Sequence, residues 1–327
     1  MSDHLPNQLL TEIFLRLPLE SLVCSTKSQE HFTIRNDNES FSKQFDQLEF
    51  PYKIPYGDLK VVGVCRGLVC LYLEEFSSIV GVVLWNLSIR KWRPVPIEPE
   101  PGMFVLGFGV CDVTNDHKLV KLECLEDSES NFKVAPLVKV YSLSTGSWRD
   151  VSTTAPSCYM YLEKGSQVFV FGSVHWIAYH RNGEEGITRN LVVSFHMGNE
   201  VFHELMLPDY LATESFNDLN ITVLGDSLAV LKYTASTRME SCSVWVMKEY
   251  GVLKSCTKLL TFRLQQRWRT VGFRKDGQVY LPGKPSFAHR RKQYHPQKVF
   301  QISVQLEQQK RNNVKTTKRT RAIERKS

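Results

Sequence analysis

The sequence predicts a mainly β protein, a propeller of about five to six blades preceded by a short α-helical unit. Three observations carry that reading. From about Lys60 onward, short β-branched and aromatic runs alternate with Gly, Asn, Asp and Pro, as in many short strands joined by turns. The same region repeats itself at a period near fifty residues. Ahead of it, an apolar stretch follows helical spacing.

That stretch comes first in the chain. Leu9, Leu10, Ile13, Phe14 and Leu17 recur at i, i+1, i+4, i+5 and i+8, which puts them on one helix face. Pro6 suits a first helical turn, where its missing N–H costs nothing, and Pro18 stops the helix. Leu19, Leu22 and Val23 follow directly and predict a second short helix. Two short helices cannot bury this much apolar surface between themselves. The excess faces either the rest of the chain or a separate protein, and periodicity does not separate the two. After Ser28 the segment from Gln29 to Ser40 is polar and turn-rich, the character of a connection. The expected organisation is therefore a helical unit over 1–28, a connector over 29–59, a β domain over 60–308 and a tail over 309–327.

Within the β domain, Val82-Val83-Leu84-Trp85 is answered by Trp92, and Val138-Lys139-Val140-Tyr141 by Trp148. Leu191-Val192-Val193-Ser194-Phe195 is answered by Phe202, and Cys242-Ser243-Val244-Trp245 by Val252. Each aromatic anchor thus has a bulky apolar residue seven positions on. The anchors Trp85, Tyr141, Phe195 and Trp245 stand 56, 54 and 50 residues apart, and Val299-Phe300-Gln301-Ile302 is a weaker fifth copy. A strand, a turn and a returning strand at this period describe blades that pack face on face. Between the anchors, Gly67, Gly172 and Gly225 each separate two apolar runs, where a hairpin turn needs positive φ.

Composition and charge narrow the function classes. With 327 residues, 42% hydrophobic and 23% charged, the body is expected to fold. No apolar run approaches the roughly 18 residues of a membrane helix, and the first residues lack the basic and apolar regions of an export signal. A cytoplasmic or nuclear protein without membrane partners is expected. The net charge of +7 sits in the tail, where eight basic residues face only Glu324. The balanced body gives no field for nucleic acid. Lys310, Arg311, Lys318, Arg319, Arg321, Arg325 and Lys326 make the tail either an inert solvated end or a nuclear-import patch, with at most weak contact to nucleic acid. Eight dispersed cysteines without Cys-x-x-Cys spacing read as packed thiols rather than a zinc set, and no cofactor is expected.

One hydrolase-like string occurs, Gly225-Asp226-Ser227-Leu228, but it joins two apolar runs late in an all-β region. A plain turn is the expected reading, with a hydrolase using Ser227 as the rival. No phosphate-cradling loop, Gly-x-Ser-x-Gly or His-Glu-x-x-His is present. A binding protein is favoured over an enzyme.

The chain resembles plant F-box proteins that carry an F-box-associated, kelch-like domain. The F-box part of the likeness runs from Leu5-Pro6-Asn7-Gln8-Leu9-Leu10 to Leu19-Glu20-Ser21-Leu22. The associated domain is carried by Gly107-Phe108-Gly109-Val110-Cys111-Asp112, Gly172-Ser173-Val174-His175-Trp176, Val244-Trp245-Val246-Met247-Lys248-Glu249-Tyr250-Gly251-Val252 and Gly272-Phe273-Arg274-Lys275-Asp276-Gly277. This resemblance implies a substrate-receptor subunit of an SCF-type cullin ubiquitin ligase. It would bind a Skp-type adaptor through Leu5, Pro6, Leu9, Leu10, Ile13, Leu17, Pro18 and Leu22, and a target protein through the β domain. One departure stands out: the third F-box helix with its Cys-Lys-x-Trp element is missing, and no Trp precedes Trp85. The F-box is thus expected to be truncated after its second helix. The rival role is a propeller interaction module that binds partners without recruiting the ligase.

Overall fold

In this computed structural model the described residues are 58–264, apart from breaks at 76–77, 87–88, 98–102, 127–132, 157, 161–166, 183–186 and 236–239. To these are added 22–23, 31–35, 44–49, 272–273, 279–281 and 300–302. All six sheets among them are antiparallel, and apart from the pairing of β12 with β14 they are built from neighbours in sequence. The first blade holds β4 (Asp58–Cys65), β5 (Leu68–Glu75), β6 (Ser78–Asn86) and β7 (Lys91–Val95). The second holds β8 (Met103–Val110), β9 (His117–Glu126), β10 (Lys133–Ser142) and β11 (Ser147–Asp150).

In the third blade, β12 (Tyr159–Met160) and β13 (Val168–Val170) share one edge of β14 (Ser173–Asn182), which is followed by β15 (Ile187–His196) and β16 (Phe202–Met206). The fourth contains β17 (Leu219–Leu224), β18 (Ser227–Ala235), β19 (Glu240–Met247) and β20 (Cys256–Leu264). Three-stranded sheets stand at either end of the chain: β1 (Leu22–Val23), β2 (His31–Arg35) and β3 (Gln44–Glu49), and β21 (Gly272–Phe273), β22 (Val279–Leu281) and β23 (Phe300–Ile302).

The propeller class is as the repeats predict, but the described residues form four full blades and two three-stranded sheets rather than five or six full blades. The i, i+7 anchor pairs are cross-strand neighbours of a blade's two outer strands: Trp85 with Trp92, Tyr141 with Trp148, Phe195 with Phe202. The fourth copy departs from expectation. Trp245 lies opposite Lys258, because a longer connection with a 3-10 turn at Leu253–Ser255 replaces the tight hairpin, and Val252 sits exposed on it. Leu22 and Val23 are strand, not helix, and pair with Ile34 and Thr33. The expected connector carries β2 and β3. Its polar residues interrupt the pattern, yet Phe32, Thr33 and Ile34 are strong strand formers.

Both faces of the second and third blades are apolar, with alternate residues facing opposite neighbours. Leu119 and Tyr141 pack toward the first blade, while Val120, Leu122, Val138 and Val140 pack toward the third. Val174, Trp176, Leu191, Val193 and Phe195 meet them from the third blade, whose Ile177 and Val192 face the fourth. The six described cysteines with assigned burial, Cys65, Cys70, Cys111, Cys158, Cys242 and Cys256, are buried free thiols, and burial pushes Cys65 up to about 12.

Polar side chains bolt these faces together. The Trp176 indole N–H donates to the Leu106 carbonyl of the second blade at 3.0 Å. The ring can approach because Gly107 has no side chain: a Cβ there would lie 2.2 Å from it. Gly109 makes the same room for Phe169, at 2.4 Å. One blade earlier, the His117 Nε2–H donates to the Cys65 carbonyl at 3.3 Å, and Lys118 on the opposite face reaches the third blade.

Gly107→Ala is expected to lower stability by about 2 kcal/mol, the usual scale of overpacking a filled core. Gly81→Ala, with nothing within 4 Å of its new methyl, should leave the thermal midpoint almost unchanged. Equal midpoint shifts in the two variants would contradict the interblade account.

Candidate functional site

The turns joining first to second and third to fourth strands of every blade emerge at one end of the stack. At this end the backbone is drawn tight. Arg66 and Gly67 between β4 and β5 have φ of 41° and 84°, and Phe171 and Gly172 between β13 and β14 have 54° and 69°. Both are two-residue turns with positive φ throughout, matching strand twist. Gly225, before Ser227, has φ of 59°, so the hydrolase-like string is a hairpin turn.

Side chains fix the longer loops. The Arg66 guanidinium donates to Asp112 Oδ1 at 2.7 Å and also to Asn115 Oδ1. Asp116 accepts from the Ser142 hydroxyl and from the Ser144 N–H, the latter at 2.9 Å, tying the β8–β9 loop to the β10–β11 turn. Lys118 Nζ donates to the Met197 carbonyl at 2.8 Å and to Glu200 at 2.7 Å, and Arg149 also bonds Glu200. Burial opposes ionisation of Glu200, but the hydrogen bonds and charges of Lys118 and Arg149 outweigh it and hold the carboxyl below its usual range. His196 Nδ1 accepts the Gly198 and Asn199 N–H groups and closes the β15–β16 turn.

Onto these pinned loops the protein places apolar side chains that solvent reaches. Of the ten exposed large apolar residues among those described, eight lie at or beside this end: Val64, Trp92, Val113, Phe171, Val201, Tyr250, Val252 and Leu253. Val113 is 86% exposed at the tip of its loop. The Phe171 and Tyr250 rings touch, with centroids 4.8 Å apart. Such a concentration of apolar and aromatic surface on rigid turns has the composition of a protein-binding surface.

Beneath it lies His175, fully buried on β14. Its Nδ1 faces the Val168 carbonyl at 3.4 Å and its Nε2 faces the Tyr250 hydroxyl at 2.7 Å. A carbonyl only accepts, so Nδ1 carries the proton and Nε2 takes the hydroxyl's hydrogen. Burial drives the imidazole down to about 4, outweighing hydrogen bonds to Val168 and Ser173. His175 is therefore a neutral post that fixes the position of Tyr250.

Of the residues implicated in adaptor contact, Leu5, Pro6, Leu9, Leu10, Ile13, Leu17 and Pro18 lie outside the described residues, as do the tail residues from Lys310 to Lys326. Leu22 stands in β1. Neither Phe171 nor Tyr250 stands out as a surface residue in the sequence pattern. The available signal was an apolar residue beside a turn glycine: Phe171 before Gly172, Tyr250 before Gly251.

Antiparallel blades packed face on face, with a pinned loop end, define a β-propeller domain. Residues 19–317 match the F-box associated beta propeller domain, and the chain belongs to that family. It is 25% identical to F-box/kelch-repeat protein At3g23880 of Arabidopsis thaliana, over 79% of this chain and 79% of that protein. F-box protein At4g22390 of the same plant is 27% identical, over 78% of this chain and 73% of its own length. F-box protein CPR1, also from Arabidopsis thaliana, is 26% identical, over 79% and 72%.

The imidazole gives a pH dependence whose sign follows from linkage. Unfolded, the group titrates near 6.5, and folded near 4. Between those values only the unfolded chain binds the proton, so stability present above pH 6.5 is lost as pH falls toward 4. His175→Asn should lose less stability than the parent over that interval, read as the difference in thermal midpoint between pH 7 and pH 4.5. An identical difference in both proteins would refute the buried neutral imidazole.

Proposed function

We propose that this chain is a target-receptor subunit of an SCF-type cullin ubiquitin ligase. It holds a Skp-type adaptor through its N-terminal apolar residues and a target protein through the loop end of the propeller. Membership of the F-box associated propeller family, behind the F-box-like stretch from Leu5 to Leu22, carries this reading. Relatives named as F-box proteins, and the aromatic surface around Phe171 and Tyr250, support it. The chain performs no covalent chemistry. Its contribution is to hold a target near the ubiquitin-charged enzyme, raising the local concentration of the reacting groups.

In this reading the adaptor covers Leu9, Leu10, Ile13 and Leu17, whose spacing in the sequence predicts one helix face. The shortened F-box weakens the grip without abolishing it. Co-purification of the full chain with a Skp-type adaptor tests this directly. Capture by the parent chain and its loss in Ile13→Lys are expected, while Val113→Asp at the loop end leaves capture intact. If the parent captures no adaptor but a chain given a third F-box helix does, this form is an interaction module outside the ligase.

A further inference from the structure

We propose that the loop end reads a carboxamide in its target, an asparagine or glutamine side chain whose carbonyl accepts from His196 Nε2–H while its N–H donates to Asp112 Oδ2. This rests on the reading of the loop end as the target-binding surface and names what that surface selects. Gly172, in the turn between β13 and β14, forms the floor. The position a Cβ would take there is 3.3 Å from Asp112 Oδ2 and 3.4 Å from His196 Nε2. The second blade's carboxylate and the third blade's imidazole thus face one narrow space.

Neighbouring groups fix the hydrogen-bonding role of each atom. His196 Nδ1 accepts the Gly198 N–H at 3.1 Å and the Asn199 N–H at 3.2 Å, so the proton of the neutral ring sits on Nε2. The ring lies this close only because residue 198 is glycine: a Cβ there would stand 2.9 Å from His196 Cε1. Across the gap, Asp112 Oδ1 takes the Arg66 guanidinium at 2.7 Å, and no described residue donates to Oδ2. One donor and one acceptor are held in place before any partner arrives.

A primary carboxamide offers an acceptor oxygen and an N–H on one edge of a planar group, and so satisfies both atoms at once. A carboxylate has no donor for Asp112 Oδ2 and brings a second negative charge beside it. An ammonium or guanidinium has no acceptor for His196 Nε2–H. A trans backbone amide points its C=O and N–H in opposite directions, whereas the two protein atoms converge on one space. Apolar tips adjoin this pair in sequence: Val113 follows Asp112 and is highly exposed, and Phe171 precedes Gly172 and touches the Tyr250 ring. The apolar contacts supply affinity and the polar pair supplies choice, because a ligand lacking either group leaves one protein atom unpaired.

Ligand-observed NMR on the full chain tests the slot with hydrocinnamamide, hydrocinnamate and N-methylhydrocinnamamide, which share an aromatic body and differ only in the head group. Saturable millimolar binding of the primary amide is expected, the scale for so few heavy atoms. The other two should bind about tenfold more weakly, the cost of one unpaired hydrogen-bonding group. Asp112→Asn reverses the choice: Arg66 only donates and keeps the new side chain's oxygen, so the amide nitrogen turns to the slot, which then offers two donors and prefers hydrocinnamate. Asp150→Asn, at the far end of β11, keeps the order of the parent. No saturation by hydrocinnamamide, equal binding of either reference compound, or an amide preference kept in Asp112→Asn or lost in Asp150→Asn overturns the proposal. Adaptor capture is a separate readout: capture without head-group discrimination leaves the receptor role standing and ends this inference, while discrimination without capture leaves the slot and removes the ligase role.

Discussion

Two adjacent residues, His175 and Trp176 on β14, tie three blades together, and the organisation of the loop end depends on them. Successive side chains of a strand point to opposite faces. Trp176 therefore enters the second blade, donating to the Leu106 carbonyl over the gap left by Gly107, while His175 turns to the fourth and receives the Tyr250 hydroxyl. Neither contact works without glycine in one place and a buried neutral imidazole in the other. Each also satisfies a buried polar group that would otherwise weaken the interface.

From this interlock follows the character of the surface above it. Tyr250 is held from below by His175 and from the side by Phe171, so its ring is part of a fixed ledge. The neighbouring loops are pinned through Arg66, Asp116 and Lys118. A surface ordered before it meets a partner loses little conformational entropy on binding. Pinned loops and exposed apolar tips thus make one design: the polar bonds consume the backbone's freedom, and the apolar residues remain for contact.

Much of the blade plan was legible in the sequence, because its period is imposed by packing. An aromatic anchor and a bulky partner seven residues on are what a tight hairpin between two outer strands places side by side, and Trp85 with Trp92 shows it. The pattern failed where length changed. The connection after Met247 is too long for that spacing, so Val252 was read as an anchor partner and stands exposed instead. It failed again near the N-terminus, where Phe32, Thr33 and Ile34 are surrounded by polar residues and Leu22 and Val23 continue a helical period. The bond between His175 and Tyr250 joins residues 75 apart. Periodicity reports which face a residue takes, but it does not name the partner across the interface.

Native-state hydrogen exchange tests the interlock most directly. If the dipeptide couples three blades, the Trp176 indole N–H and the central amides of β8, β14 and β18 exchange with one common opening free energy, and Trp176→Phe splits them into separate groups. Exchange of β8 and β18 at unrelated rates in the unmodified protein, unaltered by Trp176→Phe, would show that the blades open independently and that the loop end is not fixed from beneath.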